Sequence, residues 1–354
     1  MKLLEKLCLT SAVAGREHRM RKLIREQTQG LFDSVTEDAL GSLICLRKAR
    51  PPRGTKRKPK RDATKVMIAA HMDQIGFMVK HVDDSGFIRV VGVGGFDPRN
   101  LFARLCTICP DPRDPAKDLP AVMNPGSKPV HIASPEDRKK VPDIEDLMLD
   151  TGLPGNLVKK KVKIGDMVVL RAPFERIGNA VVSQCLDNRV ACWIAIRVMQ
   201  KLKTHACDVY CCFTTQEEVG LRGAGTAAFG IEPDIGIALD TTLCVDTPGV
   251  SMDLAVTGFG NGAALTAMDQ GSIADYDLLE EFERIAKRRK IKFQRSILPR
   301  GATDAGTIQR AARGARTFTL SCPTRYIHTV TEMTHEDDLH ACRDVLAAYI
   351  AQTK

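Results

Sequence analysis

Two adjacent carboxylates, Glu217 and Glu218, end a run of β-forming residues in VYCCFTTQEEVG, residues 209–220. Residues 209–214 read as a short buried strand, and a glycine-bearing loop follows it. Neighbours on an extended segment point to opposite sides, so the two acids cannot share one role. One can hold a metal while the other faces a substrate or a bound water. Such a reading calls for further ligands just after other apolar strands, because open α/β sheets gather ligands at the carboxyl ends of their strands. Three more such places exist. VMIAA at 66–70 runs into His71 and Asp73, IGIAL at 235–239 runs into Asp240, and TFTL at 317–320 leads into His328. Asp187 follows the apolar stretch 180–183, at the mouth of a helical pattern over 189–202.

Each of these residues has a plainer reading. Asp187 and Asp240 are of a type favoured at helix N-caps. The plainer and much less favoured reading of Glu217 and Glu218 is a solvated loop pair, and a lone His after a strand is more often a satisfied polar residue than a ligand. His18, His81, His131, His205, His335 and His340 have no ligand-like setting and are read as structural. Cys106 and Cys109 form a C-x-x-C, but a zinc knuckle needs a second pair at matching spacing and none follows, so packing is the favoured reading.

The elements that must position these groups belong to a chain of 354 residues, long enough for a catalytic domain and a smaller one. Apolar residues make up 44% of it, with no uninterrupted apolar run near the length of a membrane span. The start, MKLLEKLCLTSAVAGREHRM, reads as a helix broken at residues 11–15 rather than a signal peptide, which points to the cytoplasm. Most of the twelve cysteines lie inside apolar segments and are expected to be reduced core residues. The formal charge of +9 is local: RKARPPRGTKRKPKR, residues 47–61, holds nine of the 52 basic residues and no acid, and the other 43 balance 43 acids. Its prolines predict a loop between strands at 42–46 and 65–70. A polyanion contact through Arg47–Arg61 is the less favoured reading beside a solvated loop.

Taken in order, residues 1–74 carry a helix, a strand near 33–40, the basic loop and the strand ending at His71. Over 75–165 short alternating runs are separated by Gly, Pro and Asp, the texture of a small all-β barrel or sandwich. From 166 to 354 helices are expected at 189–202, 276–290 and 335–352, and strands at 209–214, 235–239, 252–256 and 317–320. The expected fold is α/β, a mixed and mostly parallel sheet with flanking helices, interrupted by the inserted β-rich domain.

The motifs AHMDQIGF (70–77), MNPGSKPVH (123–131), DTG (150–152), IGD (164–166), CLDNR (185–189), TQEEVGLRGAGTAA (215–228), EPDIGIALD (232–240), ATDAG (302–306) and PTRYIH (323–328) resemble the TET-type glutamyl and deblocking aminopeptidases. The likeness runs from Ser11 to the C-terminus. It implies a dinuclear metallopeptidase of the zinc-exopeptidase type that releases N-terminal residues from short peptides by attack of a metal-bridging hydroxide on the scissile carbonyl. By motif position, His71 and Asp240 would ligate one metal, Glu218 and His328 the other, and Asp187 would bridge them. Glu217 would be the general acid/base and Asp73 the carboxylate that orients His71. Two divalent ions, zinc or cobalt with manganese as a third option, suit this donor set. The resemblance further implies that residues 75–165 form a dimerisation domain and that dimers assemble into a hollow dodecamer.

Some positions depart from the pattern. Gln74 stands where the family usually has Glu, Asn261-Gly262-Ala263 replaces a small-Gly-Pro turn, and Arg300-Gly301 replaces glycines. These changes bear on substrate preference rather than on chemistry. Arg300 and Arg325 would suit an acidic substrate side chain. Glycoside hydrolysis is a poor rival, since it needs facing carboxyls about 5 to 9.5 Å apart and adjacent residues diverge.

Overall fold

The computed structural model describes residues 1–51 and 63–353. In chain order it forms α1 (Lys2–Cys8), α2 (His18–Gln27), β1 (Ser34–Glu37), β2 (Leu43–Arg47) and β3 (Lys65–His71). There follow β4 (Gly76–Val82), β5 (Ile88–Val93), β6 (Arg104–Cys109), β7 (Leu119–Pro125), β8 (Leu147–Asp150), α3 (Gly155–Lys161) and β9 (Met167–Leu170). The remainder gives β10 (Glu175–Ile177), β11 (Ala180–Ser183), α4 (Leu186–Lys201), β12 (Asp208–Thr214), α5 (Arg222–Ile231) and β13 (Ile235–Leu243). It closes with β14 (Ala263–Met268), α6 (Tyr276–Arg289), β15 (Phe293–Ile297), α7 (Ala305–Arg310), β16 (Arg316–Arg325), β17 (Glu332–His335) and α8 (Glu336–Gln352).

Strand β3 shows why a mixed sheet with helices on both faces forms. Its apolar run is buried on both sides, as a central strand with helices above and below requires. Val66, Ile68 and Ala70 pack into one layer with Val190, Ile194 and Val198 of α4. Met67 and Ala69 pack into the other with Ala224, Ala227 and Ala228 of α5. The order β12-β3-β13-β16 is parallel throughout, and antiparallel strands extend it on both sides. The parallel strands therefore end on one edge, where the predicted ligands lie.

Strands β4 to β9 close into a separate antiparallel barrel in the order β4-β5-β8-β7-β6-β9. Its inward residues, among them Phe77, Val79, Ile88, Ile108, Met123 and Leu149, make a second core. Cys106 joins this core while Cys109 packs with Val13, Met167 and Val169, so the two thiols face different clusters. Burial pushes both thiols up to about 12, which suits packing and not metal ligation. All twelve cysteines are buried and free.

The strand expected at 252–256 does not form; Met252–Leu254 is a short 3-10 turn. The strand lies instead at β14, between β15 and β16. Gly258, Gly260 and Gly262 separate the two stretches, and the left-handed backbone of Gly262 ends the turn that delivers Ala263 to the sheet. Of the basic tract, residues 52–61 lie outside the described residues. Arg47 is turned inward, donating to the carbonyls of Met199 (2.7 Å) and Leu202 (2.8 Å). Among the described residues no helix is long and apolar enough to cross a membrane.

Candidate metal centre

Strand register brings the first groups together. Thr214, the last residue of β12, pairs with His71, the last of β3, so the loop carrying Glu217 and Glu218 starts beside the His71 backbone. Asp240 lies inside β13, two residues beyond the last position paired with β3, and is therefore a strand residue and not an N-cap. Asp187 sits in the first turn of α4 with non-helical dihedrals, after the N-cap Cys185. His328 stands in the turn after β16 with φ at +64°. Four strand ends and one helix start thus converge.

The distances sort these groups into two halves. His71 Nε2 lies 3.2 Å from Asp187 Oδ1 and 3.8 Å from both Asp240 Oδ1 and Glu217 Oε2. His328 Nε2 lies 3.6 Å from Asp187 Oδ2 and 3.4 Å from Glu218 Oε2. Asp187 therefore turns one oxygen to each imidazole. Glu217 and Glu218 fall into opposite halves, although the chain there is a turn, with the N–H groups of Gly220 and Leu221 donating to the Glu217 carbonyl, and not the extended segment the sequence suggested. Donor atoms of His71, Glu217 and Asp240 lie within 4.8 Å of one another, as do those of His71, Asp187 and Glu218.

Asp73 organises three of these groups at once. It faces the other side of the His71 ring, with Nδ1 3.2 Å from its main-chain carbonyl and 3.4 Å from its carboxylate. That contact leaves Nε2 free for the cluster. The same carboxylate accepts from the backbone N–H groups of Glu217 and Glu218, both at 3.0 Å.

Three supporting carboxylates had no predicted role. Glu332 accepts from the N–H of Asp187 (2.9 Å) and from the N–H of His328 (2.8 Å), so one side chain holds the backbones of both. Asp304, from the ATDAG motif, accepts from the Thr214 hydroxyl at 2.6 Å. Glu17, at the start of α2, reaches the loop at Thr215 and Gln216. No spacing links Glu17 or Glu332 to the ligands, and only the motif around Asp304 offered a signal.

The electrostatics of the cluster are one-sided. Asp73, Asp187, Glu217, Glu218, Asp240, Asp304 and Glu332 surround two imidazoles, and among the described residues no Lys or Arg forms an ion pair with any of them. Burial, with Asp240, Asp304 and Glu218 nearby, holds Glu217 well above its usual range, although His71 pulls it down. Burial raises Asp240 likewise, and it lifts Asp304 to about 6. Burial alone would lower His71 and His328, yet Glu217, Asp187 and Asp73 hold His71 high, and Glu218 and Asp187 raise His328 to about 10. Asp187 stays low despite burial because both imidazoles face it.

These residues fit divalent cations. Glu218 Oε1 and Asp187 Oδ1 are buried without a hydrogen-bond partner, the close approach of His71 to the latter not being aligned as one. Buried carboxylates in this number need compensating charge, and two imidazoles can supply only part of it. Mixed carboxylate and imidazole donors suit zinc and its neighbours.

The barrel borders the site as well. A Cβ placed on Gly95, just after β5, would lie 3.6 Å from His328 Nδ1, and one on Gly94 would lie 3.5 Å from Glu218 Cβ. Arg325 is already engaged: its Nε donates to Asp246 at 2.9 Å and its guanidinium stacks 4.2 Å from the Phe259 ring centroid. Gln74 accepts from Ala12 N (3.1 Å) and Arg189 Nη2 (3.0 Å), so it braces the β3 exit without joining the cluster.

Acids and histidines thus gather at the carboxyl edge of a helix-flanked sheet, and the chain's relatives are hydrolases. More particularly, the chain belongs to the M42 glutamyl aminopeptidase family, whose model matches residues 54–345. It is similar to the lysyl aminopeptidase of Pyrococcus furiosus, with 29% identity covering 99% of this chain and 97% of that protein. The structure of an aminopeptidase from Desulfurococcus kamchatkensis superposes with a TM-score of 0.90 at 33% identity, covering 99% and 94% of the two chains. The TET1 peptidase of Pyrococcus horikoshii, which can assemble into a tetrahedron or a large octahedral shell, matches with a TM-score of 0.84, 26% identity and 99% coverage of each chain.

Proposed function

We propose that this chain is a metal-dependent aminopeptidase that removes N-terminal residues from short peptides with a free amino terminus. The observation that carries the proposal is Asp187, whose two oxygens face different histidines, 3.2 Å from His71 and 3.6 Å from His328. A carboxylate so placed suits two ions about 3.5 to 4 Å apart. His71 and Asp240 would complete the ligands of one ion, Glu218 and His328 those of the other. Two bound zinc or cobalt ions, or manganese, would polarise the scissile carbonyl and lower the pKa of a bound water.

The chain's own groups have separate tasks. Glu217 takes the proton of the attacking water and passes it to the leaving amine, a task for a base that is not itself a permanent ligand. Asp73 holds the His71 ring and the backbone of the acidic loop in one geometry. Glu332 keeps Asp187 and His328 in register. Substrate preference is left open by these groups, since relatives of one family carry both glutamyl and lysyl names.

The proposal extends to organisation. Residues 75–165 would be a dimerisation insert between catalytic parts 1–74 and 166–354. Leu105 and Val122, paired on the barrel surface and exposed, support a contact face there. Higher assembly to a dodecamer would follow the PhTET1-12s structure, a dodecamer to which this chain is similar with a TM-score of 0.84 at 27% identity. Gel filtration that gives a stable monomer with metal present would overturn this part. Twelve buried free thiols suit a reducing compartment and hence the cytoplasm, which cell fractionation tests.

The direct test uses aminoacyl-p-nitroanilides with chelated protein re-metallated by zinc, cobalt or manganese, and an N-acetylated substrate as control. Metal-dependent cleavage of the free substrates alone is expected, and the panel reads out side-chain preference. No cleavage with any metal, despite bound ions, would replace the aminopeptidase reading with a deacylase of the same class, and equal cleavage of the acetylated substrate would remove the requirement for a free amine.

A further inference from the structure

Glu17 occupies the N-cap position of α2, where a side-chain oxygen ordinarily accepts from the helix's own free N–H groups. Its carboxylate makes no such bond. Instead Oε1 accepts from the N–H of Gly15 (2.7 Å), from the hydroxyl of Thr215 and from the N–H of Gln216 (3.2 Å). The residue is only 1% exposed. A buried carboxylate that gives up a helix cap must recover that loss elsewhere, and here two of its three partners, Thr215 and Gln216, lie in the acidic loop.

The loop needs such support. Gln216 has φ at +56°, a left-handed conformation that a non-glycine residue holds only when its surroundings impose it. Gly223 N donates to Thr215 O at 2.9 Å, and a Cβ at Gly223 would meet that carbonyl at 2.5 Å, so α5 presses directly on the loop. Glu17 bonds the same stretch through the Thr215 hydroxyl and the Gln216 N–H. The turn over residues 13–16, with Arg16 N donating to Val13 O and Gly15 at φ +78°, is what aims it there.

We propose that Glu17 is a positioning residue for the Glu217–Glu218 pair: it holds Thr215 and Gln216 as Asp73 holds Glu217 and Glu218. Four consecutive residues are thereby strapped by two buried carboxylates from separate parts of the chain. The role given to the pair rests on the function proposed above; the strap itself rests only on geometry. Removal of groups that orient metal ligands and catalytic bases typically lowers activity or metal affinity 10- to 100-fold.

The test compares the metal-loaded wild type with Glu17→Ala and Glu17→Gln. Glu17→Ala is expected to lower kcat roughly 10- to 100-fold with KM nearly unchanged. Backbone amide exchange at Gln216 to Glu218 should quicken. Glu17→Gln keeps an acceptor oxygen and should recover most of both. A Glu17→Ala protein that loses thermal stability but retains kcat and slow exchange would overturn the proposal, because Glu17 would then be structural only. Should Glu17→Ala fail to fold, Thr215→Val removes one strapped donor at nearly constant volume; wild-type kcat and exchange in that variant would overturn it equally. Full activity in Glu217→Gln would instead defeat the acid/base reading, while the exchange measurement would still decide on the strap.

Discussion

Two populations of carboxylates divide this molecule. Around the candidate metal centre Glu217, Asp240, Asp304 and Glu332 are buried and held above their usual range, with no Lys or Arg paired to any of them among the described residues. On the flanks Asp275, Asp246 and Asp344 sit against Arg316, Arg325, and Arg343 with Lys201, and are held below it. The residue type is the same, so the difference lies in who supplies the positive charge. A carboxylate paired by the protein itself serves stability or local shape. A buried group left unpaired by the protein costs several kcal/mol unless something outside the chain compensates it. The contrast therefore marks where the proposed cations would bind.

The largest expected effect breaks the contrast at its source. Chelation should abolish hydrolysis and lower thermal stability together, and re-metallation should restore both. Activity that survives full metal removal, checked by elemental analysis, would mean that protonation alone settles the acidic cluster. Next in size is Glu217→Gln, expected to retain metal and fold while turnover drops roughly 100- to 10,000-fold. Asp187→Ala tests the other half of the reading. It should lower metal stoichiometry itself, because both ions lose a ligand; unchanged stoichiometry would refute the bridging role. Glu332→Gln should weaken metal affinity or activity by about 10- to 100-fold, since Asp187 and His328 lose their shared anchor. A wild-type metal titration in that variant would confine Glu332 to ordinary packing.

Legibility in the sequence followed the same division. His71, Asp187, Glu217, Glu218, Asp240 and His328 each stand near an apolar segment, and the geometry of parallel sheets brings such positions to one edge. The structure does bring all six together, with Asp73 beside them. Glu17 and Glu332 left no comparable trace. Glu17 looks like an ordinary helix start, and its use of one hydroxyl and one backbone donor some two hundred residues away is a tertiary fact. Glu332 begins a strand, and the Asp187 N–H it accepts from lies 145 residues away in sequence. The misplaced strand has a local cause: the glycines around residues 258–262 read as a loop, and only pairing with β15 and β16 shows that ALTAM after them is sheet.

The smallest prediction sharpens the contrast from its paired side. Asp275 is the N-cap of α6, accepting from Leu278 N at 2.9 Å and from Arg316 Nη2 at 2.7 Å. The Arg316 hydrogen bond, more than the Leu278 cap, holds its carboxyl below the usual range, against the effect of burial. A depressed folded-state pKa contributes stability that is fully present above the ordinary carboxylate value, about 4, and is lost as pH falls through the folded value. Asp275→Ala should therefore cost about 1 kcal/mol near neutral pH, the usual worth of an N-cap, and progressively less below pH 4. The reading is the difference in unfolding free energy between variant and wild type across that range. A difference that stays constant on acidification would show that shape, and not charge, carries the cap, and the line between the two carboxylate populations would then have to be drawn by burial alone.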